Sequence, residues 1–186
     1  MVVQVAQGAV ALRLDPGRRL ADARAMARGP LSLLPSQVTT ILKEVGRHIL
    51  RRPVVGVAVV GCRSDGQVLL IRRADTGTWA IPGGTLEWGE TLRGTAEREL
   101  LEEAGARILH LGPVTGVYSR PDRDPRFHAV TIIVTADVAD DLGGPKNALE
   151  IREARFFARD ALPRELAMQM DDMLAQALSG RAATLE

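Results

Sequence analysis

The 186-residue sequence has few of the features that mark secreted, zinc-bound or membrane-spanning proteins. Its single cysteine, Cys62, excludes an internal disulfide, and no Cys/His cluster of zinc-binding spacing is present. No apolar run approaches the about 20 residues of a membrane span. The amino terminus lacks the basic start and long apolar core of a secretion signal. We therefore expect a cytoplasmic protein that neither spans nor crosses a membrane.

The sequence also lacks an excess of charge of either sign and has few aromatic residues. Lys and Arg number 24 against 23 Asp and Glu, so the net charge is +1. This balance argues against a strongly cationic surface for a large nucleic acid. Only two Trp, one Tyr and three Phe can stack on a base. With 46% hydrophobic and 25% charged residues, the chain has the composition of an ordinary globular protein.

Apolar periodicity divides the chain at about residue 50. Residues 1–50 predict a strand followed by a helix that starts near Ser36. The helix has an apolar stripe over 38–49, which packs either on the rest of the chain or on a second subunit. Because this stripe lies outside the main domain, it favours a homodimer in which the extension forms the interface. Residues 51–186 form the predicted main domain.

The main domain mixes strands and helices without strict alternation, which predicts an α+β fold. An Asp-Gly step joins the first two apolar runs and indicates a hairpin. A glycine, Gly105, follows the first helix in the position that favours a left-handed cap. The predicted elements are strands over 54–60, 67–72, 108–111, 115–118, 129–136 and 153–157, a helix over 90–104 and a last helix from Pro163.

Three glutamates stand close together in the predicted helix 90–104. Glu99, Glu102 and Glu103 are spaced i, i+3 and i+4, so they project from one helix face. Their mutual repulsion destabilises a helix by about 0.2–0.5 kcal/mol per pair unless a cation neutralises them. Carboxylate oxygens favour a hard ion, Mg²⁺ or Mn²⁺. The alternative is a solvated face on which Arg98 and Glu102 form an ordinary surface ion pair.

The wider motif GTLEWGETLRGTAERELLEEAGA resembles the signature of the Nudix hydrolases. Its glycine and charged positions are Gly84, Glu90, Arg98, Glu99, Glu102, Glu103 and Gly105. The likeness covers about residues 54–163, and Ala106 is smaller than the aliphatic residue usual at the end of the pattern. The resemblance implies a mixed β-sheet sandwich between α-helices. It also implies hydrolysis of a nucleoside diphosphate linked to another group.

The resemblance implies a set of metal ligands on the signature helix. Glu99, Glu102 and Glu103 match the family's ligands for Mg²⁺ or Mn²⁺, and Glu102 and Glu103 also belong to its catalytic residues. The backbone carbonyl of Gly84 is expected as an additional ligand. Glu87, in the loop before the helix, is close enough to act as an outer ligand or is a plain loop acid.

Other positions of the motif are implied to support catalysis. Arg98 matches the arginine that orients a catalytic carboxylate, and Glu90 matches an acid that supports the loop and the helix start. The general base of the family comes from the signature or from a later loop. We expect Glu150 in that role, with Glu153 as a weaker candidate. The alternative for Glu150 is a solvent-facing loop acid.

The substrate-binding residues are expected in the segment YSRPDRDPRFH and among the aromatic side chains. Arginine guanidinium groups suit phosphate oxygens. The DRDPR-x-H part resembles a segment of family members that act on ADP-ribose and related nucleotide sugars. The alternative is an edge loop with ordinary surface arginines and a structural histidine. The residues expected to contact substrate are Arg120, Arg126, His128, Trp79 and Tyr118, with Arg123, Trp88 and Phe127 as further candidates. The alternative for either tryptophan is packing in the core.

These observations favour a metal-dependent pyrophosphohydrolase of a nucleotide sugar such as ADP-ribose, which yields a nucleoside monophosphate and a sugar phosphate. A first alternative is hydrolysis of nucleoside triphosphates, including oxidised ones. A second is a nucleotide-sensing regulator without catalysis. The complete set of helix carboxylates counts against the regulator, because a pure binder has no evident need for a crowded acidic face and no basic DNA-reading helix is present.

Overall fold

A computed structural model describes residues 52–186 together with residues 40, 41, 44 and 46. Those four positions are helical. The predicted amino-terminal strand and the rest of the helix near Ser36 lie outside the described residues. A compact unit spans Arg51–Glu186. Among the described residues, no helix has the length and apolar content needed to cross a bilayer.

Residues 52–186 form one mixed sheet with two α-helices. The strands are β1 (Val54–Cys62), β2 (Val68–Arg73), β3 (Trp79–Ala80), β4 (Gly83–Thr85), β5 (Ile108–Tyr118), β6 (Ala129–Val138), β7 (Ile151–Phe157) and β8 (Thr184–Leu185). The helices are α1 (Leu92–Glu103) and α2 (Asp171–Leu178), with a 3₁₀ turn at Ala167–Gln169. This composition confirms the predicted α+β class.

Strand β1 is central to the sheet. The main strand order is β3-β2-β1-β6-β5-β8, with β4 also paired to β1 and β7 to β2. All nine residues of β1 pair in parallel with β6, from Val54 opposite Ala129 to Cys62 opposite Asp137. The predicted hairpin is confirmed, since β1 and β2 pair antiparallel. The consecutive burial of 57–61 is typical of a strand covered on both faces.

The core is built from aliphatic side chains of β1 and β2 and from one face of α1. Leu69, Leu70 and Leu100 are fully buried. Each such leucine stabilises the fold by about 1.5–3 kcal/mol through removal of apolar surface from water. Ala96 of α1 is also buried. The helix therefore packs on the sheet through the face that carries Ala96 and Leu100, and its acidic residues lie beside that face. Leu92, at the start of α1 and at the same helical spacing, is 36% exposed.

The predicted helix 90–104 is confirmed, with a start two residues later. Thr91 caps the amino end, because its side chain accepts a hydrogen bond from the Gly94 N–H at 3.1 Å. Gly105 ends the helix with a φ of +65°. Its N–H donates to the Leu101 carbonyl at 3.1 Å. Glu90 therefore lies just outside the helix, where its side chain is free to reach back over the first turns.

The largest differences from the predicted boundaries are in β5 and in the last helix. Strand β5 runs without interruption where a break was predicted over 112–114, because the sheet absorbs these residues in register shifts against β6. The last helix begins at Asp171 and not at Pro163. Glu165 and Met168 have φ values of 60° and 55°, which no continuous right-handed helix allows.

A buried arginine joins the β5–β6 loop to the carboxyl-terminal part of the chain. Arg123 is 7% exposed and donates to both carboxylate oxygens of Asp172 at 3.0 and 2.7 Å. It also donates through Nε to both oxygens of Glu186, at 3.1 Å each. The Ser119 and Arg120 N–H groups donate to Glu186 as well. These hydrogen bonds, that of Arg123 foremost, lower the pKa of Glu186 to about 2.

We expect Glu186→Gln to lower the free energy of unfolding at pH 7 by about 1–2 kcal/mol. The pKa of Glu186 is below its ordinary value of 4.5, so its stabilisation is complete above pH 4.5 and is lost as the pH falls toward 2. Urea unfolding at pH 7, 5 and 3 should therefore show a difference from wild type that shrinks with acid. Asp141→Asn, at a carboxylate that is 84% exposed, serves as the control. An equal difference at pH 7 and pH 3 would contradict this assignment.

Candidate active site

The structure brings the three signature glutamates to one cavity with the predicted loop acid. Glu99, Glu102 and Glu103 of α1 line a cavity of about 280 Å³, and Glu150 lines it from the loop before β7. The other lining residues are Lys146, Asn147 and Ile151. Four carboxyl groups therefore share one space although Glu150 is far from the others in sequence.

Glu103 is the most strongly perturbed of these acids. Its Oε2 accepts a hydrogen bond from the Gly83 N–H at 2.8 Å. Burial, with the charges of Glu99 and Glu150 adding to it, raises the pKa of Glu103 to about 8. A carboxylate is unfavourable in such a place unless a positive charge accompanies it. Burial also raises the pKa of Glu99.

Arg98 holds the side chains of Glu90, Glu99 and Glu102 in place. Its Nε and Nη2 donate to the two oxygens of Glu90 at 2.8 and 3.0 Å. Its Nη1 donates to Glu99 at 2.8 Å and to Glu102 at 3.4 Å. The hydrogen bond from Arg98 is the main cause that lowers the pKa of Glu90 to about 2. One guanidinium thus orients two of the predicted metal ligands, and Glu90 fixes that guanidinium.

The donor set fits a hard divalent cation in its chemistry. It consists of carboxylate oxygens, and Glu103 is half-buried with a raised pKa, which marks a carboxyl group short of positive charge. Among the described residues, no three His, Cys, Asp or Glu side chains are already arranged around a common centre as metal ligands. Arg98 and the Gly83 N–H are the partners that hold these carboxylates in the structure.

Gly84 allows the sheet to approach the acidic face of α1. A Cβ atom at this position would lie 2.0 Å from Oε1 of Glu99, so a larger residue would push this carboxylate away from the position in which Arg98 holds it. Gly84 pairs with Val57 of β1, so its backbone is held by the sheet. The structure thus gives a steric reason for glycine at this position of the motif. Metal binding by the Gly84 carbonyl stays a prediction.

The loop that carries Glu150 is anchored to the end of α1. The N–H groups of Gly143, Gly144 and Lys146 donate to carbonyls of the last helical residues and their cap, at 3.2, 3.1 and 2.8 Å. The Ala74 N–H donates to the Glu150 carbonyl at 2.7 Å. These backbone bonds satisfy helix-end carbonyls and place Glu150 at the acidic cavity.

We expect Gly105→Ala to detach this loop and to lower the free energy of unfolding by about 1–2 kcal/mol. The residue has a left-handed backbone, and an added Cβ would lie 2.6 Å from the Gly143 Cα. Limited proteolysis of the loop at 143–150 should be faster in the variant. Gly94→Ala is the matched control, since its Cβ would meet the nearest atom at 3.4 Å. Equal stability and equal proteolysis of both variants would contradict the anchoring role of Gly105.

A second cavity, of about 110 Å³, adjoins the same part of the sheet. Gly83 and Gly84 line it, while the same residues contact Glu103 and Glu99. Tyr118, Arg126 and Phe127, all predicted to bind substrate, line this cavity. Further lining comes from apolar side chains, among them Met168, Met170 and Met173.

Two predicted substrate residues of the β5–β6 segment have protein partners outside the second cavity. His128 contacts the Ser119 carbonyl through Nε2 at 2.7 Å. Arg120 donates through Nε to Asp122 at 2.9 Å. Arg123 does line the cavity, but its guanidinium is engaged by the ion pairs described above.

The predicted residues of the loops around β3 and α1 also lie outside both cavities. Trp79 packs edge-on against Phe157, with ring centroids 4.7 Å apart and an interplanar angle of 83°. Trp88 is fully exposed, and Glu87 is exposed in the same loop. The Glu87 N–H donates to Glu90 at 3.1 Å, so this loop is tied to the acid that fixes Arg98.

Sequence reasoning missed Arg73 and Asp124, which both line the second cavity. Asp124 is buried, and Arg73 is half-buried at the end of β2. For Asp124 the sequence did offer a signal, because Asp124 and Arg126 stand two residues apart in the segment RPDRDPR and can form an ion pair. For Arg73 the sequence offers only the Arg-Arg step that ends a predicted strand, because its neighbours come from distant segments.

Comparisons with known proteins identify the family. The NUDIX domain family matches residues 51–177, which is well over half of the chain. An ADP-ribose pyrophosphatase of Methanocaldococcus jannaschii is 42% identical over 113 residues, covering 58% of this chain and 64% of that protein. A MutT-like protein of Streptomyces ambofaciens is 49% identical over 69 residues, covering 37% of this chain and 44% of that protein.

The chain thus spans about half the length of these two curated relatives. Among solved structures, the MutT NUDIX hydrolase of Burkholderia pseudomallei matches with a TM-score of 0.59 and 26% identity. The match covers 68% of this chain and 98% of that one. Together with the acidic face of α1 and the glycines beside it, these similarities confirm the predicted resemblance: the chain belongs to the Nudix hydrolase family.

Proposed function

We propose that this protein hydrolyses the pyrophosphate bond of a nucleotide sugar such as ADP-ribose with the help of Mg²⁺ or Mn²⁺. The products are a nucleoside monophosphate and a sugar phosphate. The observation that carries the proposal is the single cavity lined by Glu99, Glu102, Glu103 and Glu150. The relative from Methanocaldococcus jannaschii, named for ADP-ribose, supports this choice of substrate.

In this proposal Glu99, Glu102 and Glu103 hold the cation, with the carbonyl of Gly84 as an additional ligand and Glu87 as an outer one. A divalent ion bound by these residues would reduce the negative charge on the phosphate oxygens and would acidify a water molecule. The raised pKa of Glu103 supports the assignment, because a nearby positive charge would favour its ionised form.

Glu150 acts as the general base in this mechanism. It faces the same cavity as the helix carboxylates, from a loop held by backbone hydrogen bonds. It would accept the proton of the attacking water as the new O–P bond forms at one phosphorus. The bridging P–O bond breaks in the same step, and the other phosphate leaves as a monoester. Arg98 keeps Glu99 and Glu102 oriented during this step, and Glu90 prevents Arg98 from rotating away.

The substrate extends from the acidic cavity into the second one, where Arg126 contacts phosphate and Tyr118 packs against an apolar part of the nucleotide. Both residues line that cavity, and 50% of the Arg126 side chain is exposed. For Arg120, His128 and Trp79, contact with substrate stays a prediction, and their contacts in the structure are with protein groups.

The test of the substrate is product release from ADP-ribose, other nucleotide sugars, dinucleoside polyphosphates and nucleoside triphosphates, each with Mg²⁺, Mn²⁺ or chelator. We expect cleavage of nucleotide sugars that chelator abolishes. Preference for triphosphates, including oxidised ones, would replace the proposed substrate class. Tight nucleotide binding without cleavage would replace catalysis by a sensing function.

We expect Glu103→Gln and Glu150→Gln each to lower kcat by at least about 100-fold. Thermal unfolding of the metal-free variants should remain cooperative, so that the loss reports chemistry and not misfolding. Glu97→Gln is the matched control on the same helix, because the Glu97 side chain is 54% exposed and pairs only loosely with Arg93 at 3.8 Å. Near wild-type turnover of Glu103→Gln would contradict the assigned metal site.

We further infer that the protein acts in the cytoplasm as a homodimer through residues 1–50. The apolar stripe over 38–49, outside the catalytic domain, supports this inference. Deletion of residues 1–50 is expected to give a monomer, so the mass measured by light scattering should fall from that of two full chains to that of one shortened chain. A shortened chain that keeps the mass of a dimer would assign the interface to residues 51–186.

A further inference from the structure

A short turn between β7 and α2 has an unusual backbone. Among the residues that the structure describes, Glu165, Met168 and Gln169 are the only non-glycine residues with positive φ, at 60°, 55° and 54°. Left-handed backbone at such residues is unfavourable and persists only where surrounding contacts hold it, which occurs most often beside a ligand. We call residues 166–170 the methionine turn, because they include Met168 and Met170.

The β5–β6 loop holds this turn through Gln169. Arg123 donates through Nη1 to the Gln169 carbonyl at 2.8 Å. Arg120 donates to the side-chain oxygen of Gln169. The side-chain amide of Gln169 donates in turn to the Asp122 carbonyl at 3.3 Å. Gln169 is therefore fixed through its backbone and through both polar atoms of its side chain.

The methionine turn forms part of the wall of the second cavity. Met168 and Met170 line that cavity together with Tyr118 and Phe127. The Met168 sulfur lies 3.7 Å from Nη2 of Arg126, which lines the cavity as well. A methionine side chain is flexible, and its thioether packs well against aromatic rings. A fixed backbone at Met168 therefore limits the shapes that this part of the wall can take.

Gln169 itself lines neither of the two cavities, so any influence it has on a ligand passes through its neighbour Met168. Another glutamine offers a comparison. Gln176 of α2 donates through its side-chain amide to the Ala182 carbonyl at 2.8 Å. It has a helical backbone and also lines neither cavity. The two glutamines thus make the same kind of bond, but only Gln169 adjoins a cavity wall in a left-handed turn.

We propose that Gln169 is a positioning residue for substrate binding, which holds the methionine turn on the β5–β6 loop and so fixes Met168 in the wall of the second cavity. The proposal rests on the proposed function, since the substrate must extend into that cavity. The group that this wall fits is the flat face of a nucleobase, which a thioether and an aromatic ring can both contact. The carboxylates proposed for the chemistry line the other cavity, so Gln169 affects binding and not kcat.

The first test compares ADP-ribose binding in chelator, where hydrolysis does not proceed, with steady-state kinetics in Mg²⁺, both on the full-length protein. We expect Gln169→Ala to weaken binding and to raise KM about 5- to 20-fold, with kcat within about 2-fold of wild type. Gln169→Glu, which keeps an oxygen for Arg120, should recover most of the affinity. Gln176→Ala is the matched control and should bind ADP-ribose as wild type does.

Further variants separate positioning from a general loss of stability. Met168→Ala should weaken ADP-ribose binding by a similar factor. Because Gln169 acts through Met168, the double variant Met168→Ala/Gln169→Ala should bind no more weakly than Met168→Ala alone. Gln169→Gly relieves the left-handed backbone but leaves the turn without its side-chain bonds. It should therefore unfold at a higher urea concentration than Gln169→Ala and yet bind ADP-ribose as weakly.

Wild-type affinity of Gln169→Ala for ADP-ribose would overturn the positioning role, as would multiplied losses in the double variant or recovery of binding in Gln169→Gly. Cleavage of nucleotide sugars with an unchanged KM in Gln169→Ala would refute this role and leave the hydrolase proposal standing. Weakened ADP-ribose binding by Gln169→Ala, in a protein that cleaves no nucleotide sugar, would support the role and refute the proposed reaction. Failure of the wild-type protein both to bind and to cleave ADP-ribose would refute both proposals.

Discussion

The site depends on one cation within the chain, the guanidinium of Arg98. Three carboxylates on one helix face repel each other, and burial strengthens that repulsion. Arg98 compensates it by donating to Glu90, Glu99 and Glu102 at distances of 2.8 to 3.4 Å. Glu103 lies beyond this network and relies on the Gly83 N–H. The helix thus folds with its acidic face oriented before any ligand arrives, which reduces the reorganisation that ligand binding requires.

The second constraint is the short distance between β4 and α1. Gly83 supplies the backbone donor to Glu103, and Gly84 leaves room for Glu99 where a Cβ would overlap its oxygen. The same two glycines line the second cavity. A strand of three residues therefore connects the region proposed for metal binding to the region proposed for substrate binding. A side chain at Gly83 or Gly84 would disturb both.

Much of this arrangement could be predicted from local sequence, because helical spacing and a cap residue depend on neighbours. The acidic face of α1 and its end at Gly105 are examples. Elements governed by distant contacts were less predictable. Pro113 lies within β5 because the sheet tolerates a bulge there, and Met168 has a left-handed backbone, so the last helix cannot start before it. Arg73 escaped notice for the same reason, since its partners in the cavity come from a segment about 50 residues away.

The parallel pairing of β1 with β6 also determines when the site can assemble. These strands pair along all nine residues of β1, yet α1 and its acids lie between them in the chain. During synthesis, β1 has no parallel partner until the ribosome has released residues up to Val138. Parallel strands of such separation close a long loop and form slowly. The acidic helix therefore follows β1 and β4, the strands on which it packs, but is made before β6 completes the centre of the sheet, and this delay is set by the length of chain between α1 and β6.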